Sequence, residues 1–253
     1  MTVLDCLKYL DRLMPLSLAM EEDRVGLLAG RGSAEVTRAL VALDLTRGVI
    51  EEASQWGAQL IVTHHPVFLP DQITEASSEG RVLLALLECG IAHIAMHTNL
   101  DAAPGGVSEQ LARRAGLAGE LTPFGEADAG RSGKLEFPTD LKEYSLQVKT
   151  ALGCPYITMY DAGKPVRMLA VCGGSGNSLF EDAAAAGCDT FLTGELKYPL
   201  QLAAAEYGVN LLICGHFESE NIVCPYLAGL LTELGLEARV SSGHSNKLQV
   251  IGG

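Results

Sequence analysis

Apolar residues along the chain switch between two periods. Val3, Leu7, Leu10 and Met14 recur at helical spacing and stop before Pro15, which predicts an amphipathic helix at the start. Between residues 39 and 101, short apolar runs alternate with longer amphipathic ones: ALVALDL, a helical stretch to Trp56, AQLIVT, RVLLALLEC and IAHIAM. Short apolar runs suit buried strands and the longer stretches suit helices, so the order reads strand, helix, strand, helix, strand. The same order returns between 166 and 220 as VRMLAVC, FEDAAAAG, CDTFLT, an Ala-rich helix over 199–207, and VNLLIC. Such alternation predicts two α/β halves.

The two stretches also correspond residue by residue. GAQLIVTHH from Gly57 aligns with GCDTFLTGE from Gly187, and the following strand leads into His97 in one stretch and His216 in the other. The Gly-, Ala- and acid-rich segment 116–133 carries little periodicity and is the expected junction. The expected organisation is a first α/β lobe over 1–120 and a second over 121–215, with 216–253 returning to the first. In that return, NIVCPYLAGLLTELG predicts a helix, and LEARVSSG and KLQVIGG predict strands.

Length is compatible with this division, because single cores stop growing at roughly 250–300 residues and the chain has 253, of which 48% are apolar. The formal net charge of −13 argues against loose binding to phosphate backbones or anionic membranes and favours cationic partners, metals above all. The most apolar segment, 82–96, is interrupted by Glu88, Gly90 and His93 and is shorter than the ~20 residues that span a bilayer. The first residues lack the basic start and apolar stretch of a signal peptide. Seven cysteines without a CxxC spacing indicate neither a disulfide framework nor a zinc ribbon, so a reducing, cytoplasmic setting is expected.

The chemistry-bearing residues gather where apolar strands give way to loops, the usual place for a site in an open α/β sheet. They are His64 and His65 in IVTHHPVF, His97 and Asp101 in MHTNLD, and His216 and Glu220 in CGHFESE. Imidazole and carboxylate together suit Zn, Fe, Mn, Co or Ni. Six candidates exceed what one catalytic zinc takes, so two divalent ions per chain fit the set better. Adjacent strand residues point to opposite faces, so His64 and His65 can converge only if the chain turns, as Pro66 allows. His97 and Asp101 are four apart, as are His216 and Glu220; on a helix, that spacing selects Glu220 over Glu218. His93 and His244 have no carboxylate in a comparable frame and read as structural or surface residues.

Weaker candidates remain. The Gly173–Gly176 turn in VCGGSGN could bind an anion through its backbone, but it lacks the third Gly of a dinucleotide fingerprint and reads first as a tight structural turn. Glu195 in TGELKY aligns with His65, so it is a candidate group behind the ligands, or a base; an ordinary helix-start Glu is the alternative. No catalytic residue is assigned.

These motifs resemble the Nif-three-like dinuclear metal-centre family, whose members are often labelled GTP cyclohydrolase I type 2 homologues. The resemblance runs through DRVGLLAG, IVTHHPVF, AMHTNLDAAPGG, VCGGSG, TGELKY and CGHFESE, in the family's order. It implies ligation by His64, His65, His97, Asp101, His216 and Glu220, two-lobed α/β subunits, and a homo-oligomer in the form of a toroidal hexamer with metal sites facing an internal cavity. The chain departs from the family's WDNxGL, with EDRVGLL placing Arg24 where an amide is usual, and Pro199 follows TGELKY.

The expected fold class is therefore α/β, with two related three-layer-like lobes facing each other across a dinuclear metal cleft. The expected function is a metal-dependent hydrolase in which two divalent ions lower the pKa of a bound water from about 15.7 toward about 7. By resemblance its substrate is a nucleotide. The alternative is a metal-handling or regulatory scaffold without catalysis. A nucleic-acid adaptor is disfavoured, since no basic stripe or aromatic platform is visible.

Overall fold

The computed structural model describes residues 1–67 and 72–246. The chain divides into two compact units, Met1–Ala103 with Val223–Ser245, and Pro104–Ile222 with Asn246. In the first, Thr2 opens α1 (Val3–Leu13) with a capping box: its hydroxyl accepts from Asp5 N–H and the Asp5 carboxylate accepts from Thr2 N–H. Two donors that the helix cannot satisfy internally are thereby used, and Val3, Cys6 and Leu10 turn inward. β1 (Gly26–Ala29), β2 (Arg38–Ala42), α2 (Arg47–Trp56), β3 (Leu60–Thr63), α3 (Ser78–Glu88), β4 (Ala92–Ala95) and the short α4 (Thr98–Ala102) follow. Strands β2, β3 and β4 lie side by side and parallel, with Val41 opposite Val62 and Val62 opposite Ile94. Every residue of β3 and β4 is buried, as expected of strands covered on both faces. On one face Val49, Ile50 and Ala53 of α2 pack with Leu40, Ile61 and Leu83.

The second unit contains α5 (Val107–Arg114), β5 (Thr122–Phe124), β6 (Gly130–Thr139), α6 (Leu141–Leu152), β7 (Thr158–Tyr160) and β8 (Val166–Ser175). It continues with α7 (Phe180–Ala185), β9 (Thr190–Glu195), α8 (Tyr198–Tyr207), β10 (Asn210–Ile213) and α9 (His216–Glu220). Its sheet order is β5-β6-β8-β9-β10-β7. The chain then returns to the first unit as α10 (Cys224–Glu233) and β11 (Glu237–Val240), and β11 adds parallel to β2, with Ala238 opposite Ala39. The first sheet thus reads β1-β4-β3-β2-β11. The expected strand in KLQVIGG lies outside the described residues.

The repeated order seen in the sequence is a repeated topology. β2, β3 and β4 are parallel neighbours in one sheet and β8, β9 and β10 are parallel neighbours in the other. In each block the preceding short strand, β1 or β7, closes antiparallel on the last one. His97 follows β4 and His216 follows β10, so the aligned histidines hold equivalent places.

The expected boundaries need correction. The chain changes units after Ala103, not near residue 120. The reason is α5, whose Leu111 and Ala112 are buried in one core with Leu141, Tyr144, Val148 and Leu169 of the second unit. Segment 116–133 is no linker either: it supplies β5 and the start of β6. At the other end, the return begins at Val223 and not at residue 216, because α9 stays with the second unit, where Ile222 joins the same core. Among the described residues no helix is long and apolar enough to cross a membrane.

Candidate metal centre

In the first unit, strand ends deliver the histidines. His64 and His65 follow β3, and His97 follows β4. The chain does turn after Thr63: the Thr63 hydroxyl donates to the His65 carbonyl at 2.6 Å. That bend brings the His64 and His65 rings to 4.8 Å between centroids, and His97 lies 5.2 and 5.5 Å from them. One nitrogen from each of these rings lies within 4.8 Å of the others, a spacing able to hold a metal ion. Asp101 sits one turn beyond His97 on α4, its N–H bonded to the His97 carbonyl, and its Oδ1 is 3.7 Å from His64 Nε2.

Each of these rings is held by its Nδ1. His64 Nδ1 bonds the Met96 carbonyl at 2.9 Å, His65 Nδ1 bonds Asp44 Oδ1 at 2.7 Å, and His97 Nδ1 bonds Asp23 at 2.9 Å. A carbonyl can only accept, so His64 carries its proton on Nδ1 and leaves Nε2 as the basic nitrogen; facing carboxylates favour the same tautomer for His65 and His97. Metal-bound histidines are usually oriented in this way, so the donor set fits a borderline divalent ion. Burial opposes ionisation of Asp44 and Asp23. Hydrogen bonds outweigh it, from His244 and His65 to Asp44 and from His97 and Thr98 to Asp23, and both carboxyls are held below their ordinary range.

The second unit presents a smaller set. His216 opens α9 and Glu220 closes it, four residues on, with Nε2 and Oε2 3.0 Å apart. Glu220 is buried, while Glu218, the acid set aside in the sequence, is bonded by Asn246 at 3.0 Å. Glu195, at the end of β9, lies 3.4 Å from His216 Nδ1, so this ring too has a carboxylate behind it and another in front.

The Gly173–Gly176 turn explains how a buried carboxylate fits here. A Cβ on Gly174 would lie 2.0 Å from Glu220 Oε1 and 3.0 Å from His216 Nε2, and its φ of +57° is left-handed. Each of the turn's three glycines has its donor already used: Gly173 N–H bonds Ser108, Gly174 N–H bonds Ser219 and Gly176 N–H bonds the Glu195 carbonyl. It therefore floors the His216–Glu220 pair instead of cradling an anion.

Several residues escaped the sequence reading. Asp44 is the one charged residue of the run ALVALDL, two positions past β2, which was the available signal, and Asp23 stands in EDRVGLL. Arg24 enters through its backbone N–H, bonded to Asp23 at 2.8 Å. His244 is not a bare surface residue, since its Nε2 bonds Asp44 Oδ2 at 2.8 Å. His93 is buried, with Nε2 2.8 Å from the Thr63 hydroxyl that in turn holds the His65 carbonyl. Phe68 of IVTHHPVF lies outside the described residues.

Residues 1–247 match the sequence model of the family described as Duf34/NIF3 (NGG1p interacting factor 3). The chain belongs to that family. Among its curated relatives, a Streptomyces coelicolor protein is 37% identical over 89% of this chain and 84% of its own, and a Clostridium perfringens protein is 33% identical over 85% and 86%. Both are named GTP cyclohydrolase 1 type 2 homolog. The crystal structure of a Staphylococcus aureus hypothetical protein superposes with a TM-score of 0.89 at 27% identity, over 99% of both chains. A Bacillus cereus protein related to NIF3 shares the fold at the same TM-score with 21% identity, also over 99% of both chains.

Proposed function

We propose that this family member holds a pair of divalent metal ions through His64, His65, His97, Asp101, His216 and Glu220, and that it is a metal-dependent hydrolase. The observation that carries the proposal is the common dressing of the imidazoles: His64, His65, His97 and His216 each have Nδ1 against a carbonyl or carboxylate. His64, His65 and His97 with Asp101 in the first unit, and His216 with the buried Glu220 in the second, are donors whose Nε2 atoms are oriented by those partners. Bound divalent ions supply Lewis-acid activation of water. The chain's own groups orient the rings and neutralise charge; Asp101 and Glu220 would be the carboxylates that help hold the ions or orient the nucleophile. The name of the curated relatives suggests a purine nucleotide of the GTP type as substrate.

One observation favours a second reading, a metal-handling scaffold. Glu195, the candidate base, lies 3.4 Å from His216 Nδ1, a place suited to orienting that ring. Both readings are tested on protein purified without added metal, by elemental analysis and a screen of nucleotides and phosphoesters. The hydrolase reading expects about two ions per chain and a turnover lost in His65→Ala. Metal at that level without any such turnover favours the scaffold, and metal well below it refutes both.

A further inference from the structure

Asp44 is held from two sides. Its Oδ1 accepts from His65 Nδ1 at 2.7 Å and its Oδ2 accepts from His244 Nε2 at 2.8 Å. His244 arrives on the segment that follows β11, more than one hundred and fifty positions after His65 in the chain. That segment is pinned: Ser241 N–H bonds the Val41 carbonyl at 2.7 Å, and Ser241, Ser242 and Gly243 all donate to the Glu52 carboxylate on α2. His244 is thus presented to Asp44 from a fixed base.

Resting on the metal reading above, we propose that Asp44 is a positioning residue for His65 and that His244 acts through Asp44, as the second anchor that holds the carboxylate in place. The side chain of Asp44 is 40% exposed, so a single hydrogen bond would leave it free to rotate toward water or toward an incoming cation. With both oxygens engaged, the carboxylate fixes the plane of the His65 ring and directs its Nε2. It is also kept from competing as a ligand itself. The segment after β11 thereby becomes part of the metal site without contributing a ligand.

The test is cobalt(II) affinity of the full chain, measured by chelator competition, with thermal melts of the metal-free protein as a folding control. Asp44→Ala is expected to weaken binding by about tenfold or more, the usual effect of losing a residue that orients a ligating histidine. His244→Ala is expected to weaken it several-fold. His244→Gln, whose amide can still donate, should restore most of the loss. In the Asp44→Ala background, His244→Ala should add nothing. Wild-type affinity in His244→Ala overturns the proposal, as do losses that multiply in the double variant, since a merely loosened tail would act independently of Asp44. A wild-type chain that binds no cobalt, or binding indifferent to His65→Ala, defeats the metal reading itself and this proposal with it. Failure of the His244 variants alone leaves the metal reading standing.

Discussion

Acid should destabilise the first unit through His93, a residue that touches no proposed ligand side chain. Its ring is fully buried, and Nε2 sits 2.8 Å from the Thr63 hydroxyl, whose own hydrogen goes to the His65 carbonyl. Nε2 must therefore be the protonated nitrogen of a neutral ring. Nδ1 has no hydrogen-bond partner among the described residues, so a second proton would place an unpaired N–H and a charge in the core. Burial accordingly pulls the His93 pKa from 6.5 down to about 4. Between those values the unfolded chain binds a proton that the folded chain refuses, so stability is fully present above the unfolded value and falls as pH drops toward the folded one. The full gap is worth about 3 kcal/mol, and about 2 kcal/mol of it should be lost on going from about pH 8 to about pH 5. Urea unfolding of wild type and His93→Gln at both pH values, with EDTA present, isolates the term. The variant should lose about 2 kcal/mol less than wild type over that interval, whatever its stability at the upper pH. Equal losses would refute the account of His93 as a neutral buried ring.

Two further substitutions probe the second unit. Gly174→Ala places a methyl 2.0 Å from Glu220 Oε1; it should cost about 1–3 kcal/mol in overpacking and displace the carboxylate, read as lost stability and weakened cobalt binding. Tyr144→Phe removes a 2.6 Å bond to the buried Ala115 carbonyl just beyond α5; an expected loss of about 1–3 kcal/mol in thermal melts tests whether α5 is an integral part of the second unit, and an unchanged melt argues against it.

Much of the strand order was legible because strands buried on both faces announce themselves as short apolar runs: LIVT and AHIA fall within the predicted strands AQLIVT and IAHIAM. Antiparallel β5 and β6 were not, since TPF and GRSGKLEFPT carry exposed or polar positions, and β5 with the start of β6 lies in the stretch read as junction. Histidines at strand ends stood out by type and spacing. The residues that hold them did not, because an Asp two positions past β2 resembles any loop Asp until the segment after β3 brings His65 alongside it. His244 was illegible for a stronger reason: its partner is 200 positions away in sequence, and no local pattern encodes such a pairing. Gly174 likewise reads as a turn residue; its close approach to Glu220 follows only from the packing of α9 against β8.

The placement of β11 has a consequence for synthesis. Until Glu237–Val240 emerge, β2 is an edge strand whose backbone groups on that side await a partner. Among the described residues, all strands of the second sheet precede β11 in the chain, so β5 to β10 can pair while the first sheet still lacks β11. A chain in which β5 to β10 have emerged and Glu237–Val240 have not would therefore carry an open edge on β2. Capture of such chains by strand-binding chaperones, ending once β11 is released, is the cellular trace this topology should leave.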